Sequence, residues 1–368
     1  SMSTEPRQST SRNLPFLDVL RALAVIGVVT VHTAGWSLSN LEASDGFLAA
    51  AGSLFASGRL GVEVFFFLSG FLLSMLYEGS EKSLTSYTAA RFFRIWPLWI
   101  LFSLGWAGYF YLSGEPPSWI MTGLVLSTFF LLWISPDHFD SFIGGAWSIQ
   151  IEIVSYIIFW FLRGKGLKVI LGTAILINLV GTVMAALAPM DEMGVMSSIR
   201  RLSLQTGFNF FVLGWLSSRL AKSSGWLQTS KPNSQGIEKS EFLSDVKSRW
   251  PMLTLWVLTF LITPAYFGNP IEAIGFVCLA LMLSGLAIRG KRSSQILGYV
   301  GRRSYFVFFA HFLILDIVEG VLVSPATPAV ALLLTPLAVL LILGLSLVAG
   351  EASFRWFERP LMKFARRF

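Results

Sequence analysis

The chain has 368 residues, of which 54% are hydrophobic and only 13% are charged. Its mean hydropathy is +0.66, which excludes an ordinary soluble domain. The single cysteine, Cys278, excludes a disulfide within one chain and a cysteine-based metal site. The formal net charge of +7 comes from short basic segments beside apolar runs, so we expect a lipid bilayer as partner and no nucleic acid.

Apolar runs of spanning length follow one another along the chain. We predict an all-α polytopic membrane protein with about ten transmembrane helices, at about 14–37, 58–77, 94–113, 146–163, 167–188, 205–221, 251–267, 271–288, 304–323 and 329–350. A shorter apolar piece lies near 119–134. Because the basic residues before and after it mark two cytoplasmic loops, an even number of crossings must separate them. We therefore predict that this piece is re-entrant or interfacial, on the outer side.

The distribution of basic residues predicts that both termini are cytoplasmic. We predict a disordered cytoplasmic N-terminus at 1–13, a membrane domain at 14–352 with a cytoplasmic linker at 222–250, and a basic cytoplasmic C-terminus at 353–368. Of the 28 Lys and Arg residues, three would lie on the outer side: Arg59, Arg200 and Arg201. They are candidates for contact with an acceptor, and snorkelling at the membrane rim is the alternative.

Two ionisable residues share one face of the first span. Arg21 and His32 are eleven residues apart, so on a helix they project within roughly 20° of each other, about 16 Å apart along the axis. Such residues are costly inside a membrane and commonly functional. Asp18 lies one turn before Arg21 and can pair with its guanidinium. An imidazole is suited to accept a proton from a hydroxyl near neutral pH, so His32 is the candidate base.

Four further spans carry polar or charged residues in recognisable strings. These strings contain Arg59, Glu63, Ser69 and Gly70 in the second span, Arg91, Arg94 and Pro97 in the third, Trp147 and Glu152 in the fourth, and Tyr305 and His311 in the ninth. Together with the first span they resemble the acyltransferase 3 family of bacterial integral-membrane enzymes. The family patterns are Arg-x10-His, Gly-Val-x-x-Phe-Phe-x-Leu-Ser-Gly-Phe, Arg-x-x-Arg-Ile-x-Pro and a late Ser-Tyr-x-x-x-x-x-His, and the match extends from Phe16 to Pro360.

The resemblance implies a stand-alone O-acyltransferase of the bacterial cytoplasmic (inner) membrane, without an appended extracytoplasmic hydrolase-like domain. It implies transfer of an acyl group, usually acetyl, to a hydroxyl of an extracytoplasmic glycan or a glycosylated small molecule. The co-substrate would be acetyl-CoA or another acyl-CoA, and we predict no metal or prosthetic group. A proton-coupled transporter or flippase of a glycan or lipid-linked sugar is the alternative, although no inverted repeat is evident.

Candidate roles follow from the chemistry of acyl transfer, which needs a base, donors for the thioester oxyanion and cations for the CoA phosphates. We assign His32, Glu152 and Ser69 as catalytic, Arg21, Arg91, Arg94 and Tyr305 as donor-binding, Asp18, Glu63, Trp147 and His311 as supporting, and Arg59, Arg200 and Arg201 as acceptor-binding. Glu152 is expected to orient His32 or to hold an acceptor hydroxyl. No base is visibly paired with Ser69, and close helix approach is its alternative role. His138, in an acidic outer loop, is expected to be solvated.

Overall fold

The computed structural model describes residues 15–42, 46–139, 141–187, 204–224, 239–262, 269–319 and 327–365. Within these ranges the backbone is helical apart from short turns, and no strand is present. The predicted all-α class is therefore confirmed.

The helices of the first half of the chain are α1 (Pro15–Glu42), α2 (Phe47–Ala56), α3 (Gly61–Tyr77), α4 (Leu84–Leu112), α5 (Pro117–Thr128), α6 (Pro136–Phe139), α7 (Ala146–Leu162) and α8 (Leu167–Leu187). Those of the second half are α9 (Leu204–Ser223), α10 (Lys239–Ser248), α11 (Trp250–Ile262), α12 (Pro270–Ala287), α13 (Lys291–Glu319), α14 (Pro328–Ser353) and α15 (Arg359–Ala365). A 3₁₀ turn at Ser57–Leu60 joins α2 to α3, and a π-helical turn at Phe354–Glu358 joins α14 to α15.

Each predicted span coincides with a helix, and six helical segments of the described residues are long and apolar enough to cross a membrane. The chain is thus a multi-pass membrane protein, and the number ten stays a prediction. The predicted bounds differ most for α4 and α13, which begin at Leu84 and Lys291 rather than near 94 and 304. Helical hydrogen bonding continues through their polar first turns, whereas hydropathy detects only the apolar part.

The short piece predicted near 119–134 contains α5, which has 12 residues. At about 1.5 Å per residue α5 is about 18 Å long, which is shorter than the roughly 30 Å hydrocarbon core of a bilayer. Its C-terminal end is held by Trp99 of α4, whose indole Nε1 donates to the Ser127 carbonyl at 2.6 Å. A helix of this length does not cross by itself, in keeping with the predicted re-entrant or interfacial role.

Two polar segments have more structure than their composition indicated. Part of the predicted linker at 222–250 is helical, because α10 occupies Lys239–Ser248. The basic C-terminal segment continues as the π-helical turn and α15, and the ring of Phe364 lies 5.6 Å from that of Phe93 on α4. The C-terminal segment therefore packs on the bundle. The predicted N-terminal tail at 1–13 lies outside the described residues.

Small residues allow the close helix contacts at the centre of the bundle. A Cβ atom on Gly70 of α3 would overlap the Phe211 carbonyl of α9, and one on Gly301 of α13 would overlap the Asp18 carbonyl of α1. Such small-residue contacts are typical of membrane helix pairs, where packing replaces the hydrophobic drive. These contacts join α3 to α9 and α13 to α1, and α1, α3 and α13 carry most of the candidate site.

Beyond the end of α3, Glu78 connects two helices and a loop. Its carboxylate accepts from Arg219 Nε at 2.9 Å and from Trp215 Nε1 at 3.1 Å, both on α9. Arg219 also donates to the Lys165 carbonyl in the α7–α8 turn at 2.9 Å. Burial by itself would raise the pKa of Glu78, but the charge and hydrogen bonds of Arg219, with a bond from Ser74, outweigh it and lower the pKa.

Candidate active site

Three arginines surround a cavity at the end of the bundle where α1, α4 and α13 meet the C-terminal segment. This basic cavity has a volume of about 220 Å³. It is lined by Arg21, Phe93, Arg94, Pro97, Leu98, Gly301, Arg302, Ser304, Tyr305, Phe354, Phe357, Glu358 and Leu361. Arginines and aromatic rings around one cavity are suited to a ligand that carries both phosphate and apolar groups.

Arg21 and Arg94 differ in how they are paired. Arg21 Nη1 donates to Asp18 Oδ1 at 2.6 Å, which confirms the pairing expected from their spacing. Asp18 Oδ2 also lies 3.6 Å from Arg302 Nη1. Among the described residues no carboxylate lies within ion-pair distance of Arg94, whose guanidinium instead lies 5.6 Å from the centre of the Tyr305 ring. Arg94 is therefore a cation available to an anionic ligand.

A second, inner cavity of about 40 Å³ extends from the basic cavity into the bundle. The two cavities share four lining residues, Arg21, Arg94, Ser304 and Tyr305. The inner cavity is further lined by Val62, Phe65, Phe66, Leu68, Ser69, Leu72, Ser148, Ile149, Glu152 and Phe308. Because they share these residues, the two cavities are adjacent, one at the arginines and the other at the polar centre of the bundle.

Ser69 and Glu152 form a hydrogen-bonded pair on the wall of the inner cavity. Ser69 Oγ on α3 donates to Glu152 Oε1 on α7 at 2.8 Å, and the Tyr156 hydroxyl donates a short bond to the same oxygen. No base for Ser69 was visible in the sequence because Glu152 is 83 residues away. The expectation that Glu152 orients His32 is wrong for this structure, since the hydrogen bonds of Glu152 go to Ser69 and Tyr156.

Tyr305 lies where the two cavities meet. Its hydroxyl is buried and has no hydrogen-bond partner among the described residues. A buried hydroxyl without a partner costs stability, so such groups call for a functional explanation. Tyr305 lines both cavities beside Arg94, so the hydroxyl is placed to donate to a ligand that enters from the basic cavity.

His32 and His311 form a direct pair between α1 and α13. His311 Nε2 lies 3.2 Å from His32 Nδ1, and the ring of Phe312 lies 4.3 Å from the His32 ring and 4.1 Å from the His311 ring. His311 is fully buried, whereas His32 keeps some exposed surface. The two histidines that the sequence singled out separately thus belong to one unit.

One aromatic layer separates the inner cavity from the histidine pair. Phe308 lines the cavity, and its ring lies 6.0 Å from that of His311 and 5.9 Å from that of Phe65. Neither histidine lines either cavity. The inner cavity therefore ends at Phe308, one ring short of His311, which in turn contacts His32.

The other candidate residues lie away from these cavities. Arg91 is outside the lining of both cavities and contacts the hydroxyl of Tyr77 at 3.4 Å. Glu63 is buried on α3, with Oε2 unpartnered among the described residues. The ring of Trp147 lies 6.4 Å from that of Phe66. Arg59 Nη2 lies 3.1 Å from Glu272 Oε2 in a partly exposed ion pair. Arg200 and Arg201 lie outside the described residues.

His138 is not solvated, contrary to expectation. It is 4% exposed, its ring stacks on Trp119 at 4.7 Å, and its two nitrogens contact Ser135 Oγ and the Trp119 carbonyl. The rings of Trp119 on α5 and of Phe142 cover the imidazole. Across the described residues, no group of three or more His, Cys, Asp or Glu side chains is arranged to hold a metal ion.

Several residues of the two cavities and of the Ser69–Glu152 pair gave no clear signal in the sequence. Tyr156, Phe308 and Phe357 are aromatic residues within apolar runs, and nothing local distinguishes them from ordinary packing residues. The α7 spacing does place Tyr156 one turn after Glu152, where the two side chains meet on a helix. That spacing was the one available clue to the Ser69–Glu152–Tyr156 arrangement.

Comparison with known proteins identifies the family. No curated protein and no solved structure matches this chain. A family model described as an acyltransferase domain matches residues 14–350, which is nearly the whole chain and contains every described residue of the two cavities except those of the C-terminal segment. The histidine pair and Arg94 also lie inside the matched range. The chain therefore belongs to the acyltransferase 3 family and is a multi-pass membrane acyltransferase.

Proposed function

We propose that this protein transfers an acyl group, acetyl in the first instance, from a cytoplasmic acyl-CoA to a hydroxyl of an extracytoplasmic glycan or glycosylated small molecule. The membrane would be the bacterial cytoplasmic membrane, with the basic cavity open to the cytoplasm. His32 is the general base in this proposal. Its main support is the pair of adjacent cavities that lie between Arg94 and Phe308, whose ring is 6.0 Å from that of His311, the partner of His32.

The basic cavity supports the choice of a CoA thioester as donor. CoA carries phosphates, which guanidinium groups bind by charge-assisted hydrogen bonds, and Arg94 has no carboxylate partner among the described residues. The axial separation of about 16 Å between Arg21 and His32 is comparable with the reach of an extended pantetheine arm. The phosphates can thus remain at the arginines while the thioester reaches the centre of the bundle.

The reaction then needs the His32 ring, the acceptor hydroxyl and the donor thioester in one place. His32 takes the proton of the acceptor hydroxyl, the hydroxyl oxygen attacks the thioester carbonyl carbon, and the C–S bond breaks. The leaving thiolate receives the proton from His32 and departs as free CoA. The Tyr305 hydroxyl, which has no other described partner, is available to donate to the pantetheine arm of the donor between the arginines and the thioester. An acyl-His32 intermediate is the two-step variant of the same reaction.

The inner cavity must widen during this reaction. Its volume of about 40 Å³ holds only a few water molecules, which is less than an acyl thioester with its arm occupies. Phe308 is the side chain that separates the cavity from the histidine pair, so we expect its ring to move when the donor enters.

The decisive experiment measures thiol release by the purified protein with a panel of acyl-CoA thioesters and a hydroxyl acceptor. A transferase releases free CoA in detergent, where no ion gradient exists, whereas a transporter or flippase does not. We expect His32→Ala to lower kcat by about 10²- to 10⁴-fold, the usual contribution of a general base. Arg94→Gln should instead raise KM for the donor.

The matched control is His138→Gln, which changes a buried histidine outside both cavities. It should leave thiol release near the wild-type rate. Undiminished acyl transfer by a folded His32→Ala protein would refute the proposed role of His32, and absence of thiol release with every thioester would refute the acyl-CoA donor.

A further inference from the structure

We propose that His311 is the positioning residue for His32, and that it helps to fix the base on the Nε2 atom of that ring. This inference deepens the proposed function and rests on it. The observation is the contact of 3.2 Å between His311 Nε2 and His32 Nδ1, between residues 279 positions apart. Which ring nitrogen carries the hydrogen follows from the partners of each nitrogen.

The contact with the Val307 carbonyl shows which ring nitrogen of His311 carries the hydrogen. His311 Nδ1 lies 3.1 Å from the Val307 carbonyl oxygen, which only accepts hydrogen bonds, so Nδ1 must be the donor. A neutral imidazole has one N–H group. His311 Nε2 therefore presents a lone pair towards His32.

The same reasoning applies to His32. Its Nδ1 lies 2.9 Å from the Val28 carbonyl oxygen and 3.2 Å from the lone pair of His311 Nε2. Two acceptors face this nitrogen, so it carries the hydrogen and shares it between them. The lone pair of His32 is then on Nε2, which has no hydrogen-bond partner among the described residues and is the atom left to take a proton.

Burial separates the roles of the two rings. His311 is fully buried and lines neither cavity, so it has no surface with which to touch an acceptor, while His32 is partly exposed. When Nε2 of His32 takes the hydroxyl proton, the ring becomes a cation. The lone pair of His311 then receives a charge-assisted hydrogen bond from Nδ1 and stabilises this imidazolium. The Val28 carbonyl is the second acceptor, so loss of His311 weakens this support without abolishing it.

The test compares two replacements of His311 by thiol release with a saturating hydroxyl acceptor. His311→Gln keeps an acceptor atom near the position of Nε2, whereas His311→Leu removes it. We expect His311→Leu to lower kcat by about 10- to 100-fold, below the full contribution of a general base. The KM for acyl-CoA should stay unchanged because His311 lines neither cavity. His311→Gln should recover at least fivefold over His311→Leu.

The wild-type protein gives a second readout that needs no variant at His311. The chain contains three histidines, so ¹⁵N-histidine NMR of the purified protein yields few signals, and His138→Gln assigns one of them. We expect the neutral His32 ring to carry its hydrogen on Nδ1. A hydrogen on Nε2 of His32 would overturn the inference. An equal loss of kcat in His311→Gln and His311→Leu, or wild-type kcat in His311→Leu, would also overturn it. Activity lost in His32→Ala but unchanged in His311→Leu would refute only the inference and leave the proposed function standing.

Discussion

At the scale of single residues, Tyr305 combines two properties that rarely occur together. Its hydroxyl is buried without a described partner, and its ring lies at the junction of two cavities beside Arg94. Removal of an unpartnered buried hydroxyl does not leave another polar group unsatisfied, so the change should not weaken the fold. Removal of this one oxygen atom therefore tests its effect on activity without a loss of stability.

We predict that Tyr305→Phe lowers kcat/KM for the donor by about tenfold, the effect of losing one hydrogen bond to the bound donor. Its melting temperature in detergent should equal or exceed that of the wild type. The control is Tyr299→Phe, which removes a hydroxyl that donates to Glu351 at 3.0 Å, outside both cavities. Wild-type kcat/KM in Tyr305→Phe would show that the hydroxyl does not contact the acyl-CoA donor.

Local sequence identified individual residues of the site but not their partners. The eleven-residue spacing brought Arg21 and His32 onto one face, and the one-turn spacing of Asp18 and Arg21 correctly predicted their ion pair. The pairing of His32 with His311 joins helices at opposite ends of the chain. A single sequence carries periodicity within a helix but no record of which helix packs on which, so such partners are visible only in the fold.

At the scale of helices, the Glu78 cluster fixes the end of α3 against α9 and the α7–α8 turn. The side chains of Glu78 and Arg219 are 10% and 4% exposed, and Arg219 Nη2 lies 2.5 Å from Glu78 Oε1. Loss of one partner of a buried ion pair costs about 3–5 kcal/mol, because the other charge is left without compensation. Since α3 carries Ser69 and part of the inner cavity wall, this contact also sets the position of the site.

We predict that Glu78→Gln lowers the melting temperature at pH 7 and that this difference shrinks in acid. The folded-state pKa of Glu78 is lowered, so its stabilising contribution is complete above the unfolded-state pKa of about 4.3 and is lost as the pH falls below that value. Thermal unfolding of both proteins between pH 7 and pH 3 measures this. Glu81→Gln, at an exposed carboxylate, should unfold like the wild type, and a pH-independent difference for Glu78→Gln would contradict the assignment.

Helix positions were largely predictable, and helix ends were not. Each apolar run of spanning length coincides with a helix, since the bilayer imposes both length and hydropathy. The extensions of α4 to Leu84 and of α13 to Lys291 are polar, so hydropathy could not detect them. Ser83 does cap α4, with its side chain accepting from Ser86 N at 3.2 Å, and that serine was a local signal for the true start.

At the scale of the whole molecule, the two cavities are arranged in series rather than side by side. The basic cavity contacts the C-terminal segment through Phe354 and Glu358, and the inner cavity leads away from it into the bundle. In the proposed orientation the donor enters from the cytoplasm, and the acceptor meets His32 from the opposite face. The protein should therefore use acyl-CoA from one face of the membrane only.

We predict that sealed inverted membrane vesicles release thiol from added acyl-CoA, because acyl-CoA does not cross bilayers and these vesicles expose the basic cavity. Sealed right-side-out vesicles should show less than a tenth of that rate until detergent opens them. Vesicles that contain the His32→Ala protein provide the background rate. Equal rates in both sealed preparations would contradict the proposed orientation of the bundle.

In the proposed membrane, the position of the Phe308 ring also affects whether protons can leak through the protein. A water-filled bore joining the arginines to the histidines would let protons leak through each copy of the protein and discharge the membrane. In the proposed mechanism the Phe308 side chain fills that position between turnovers and so keeps such a bore closed. Substitution of Phe308 by a small residue should therefore dissipate the proton-motive force before it lowers the rate of acyl transfer.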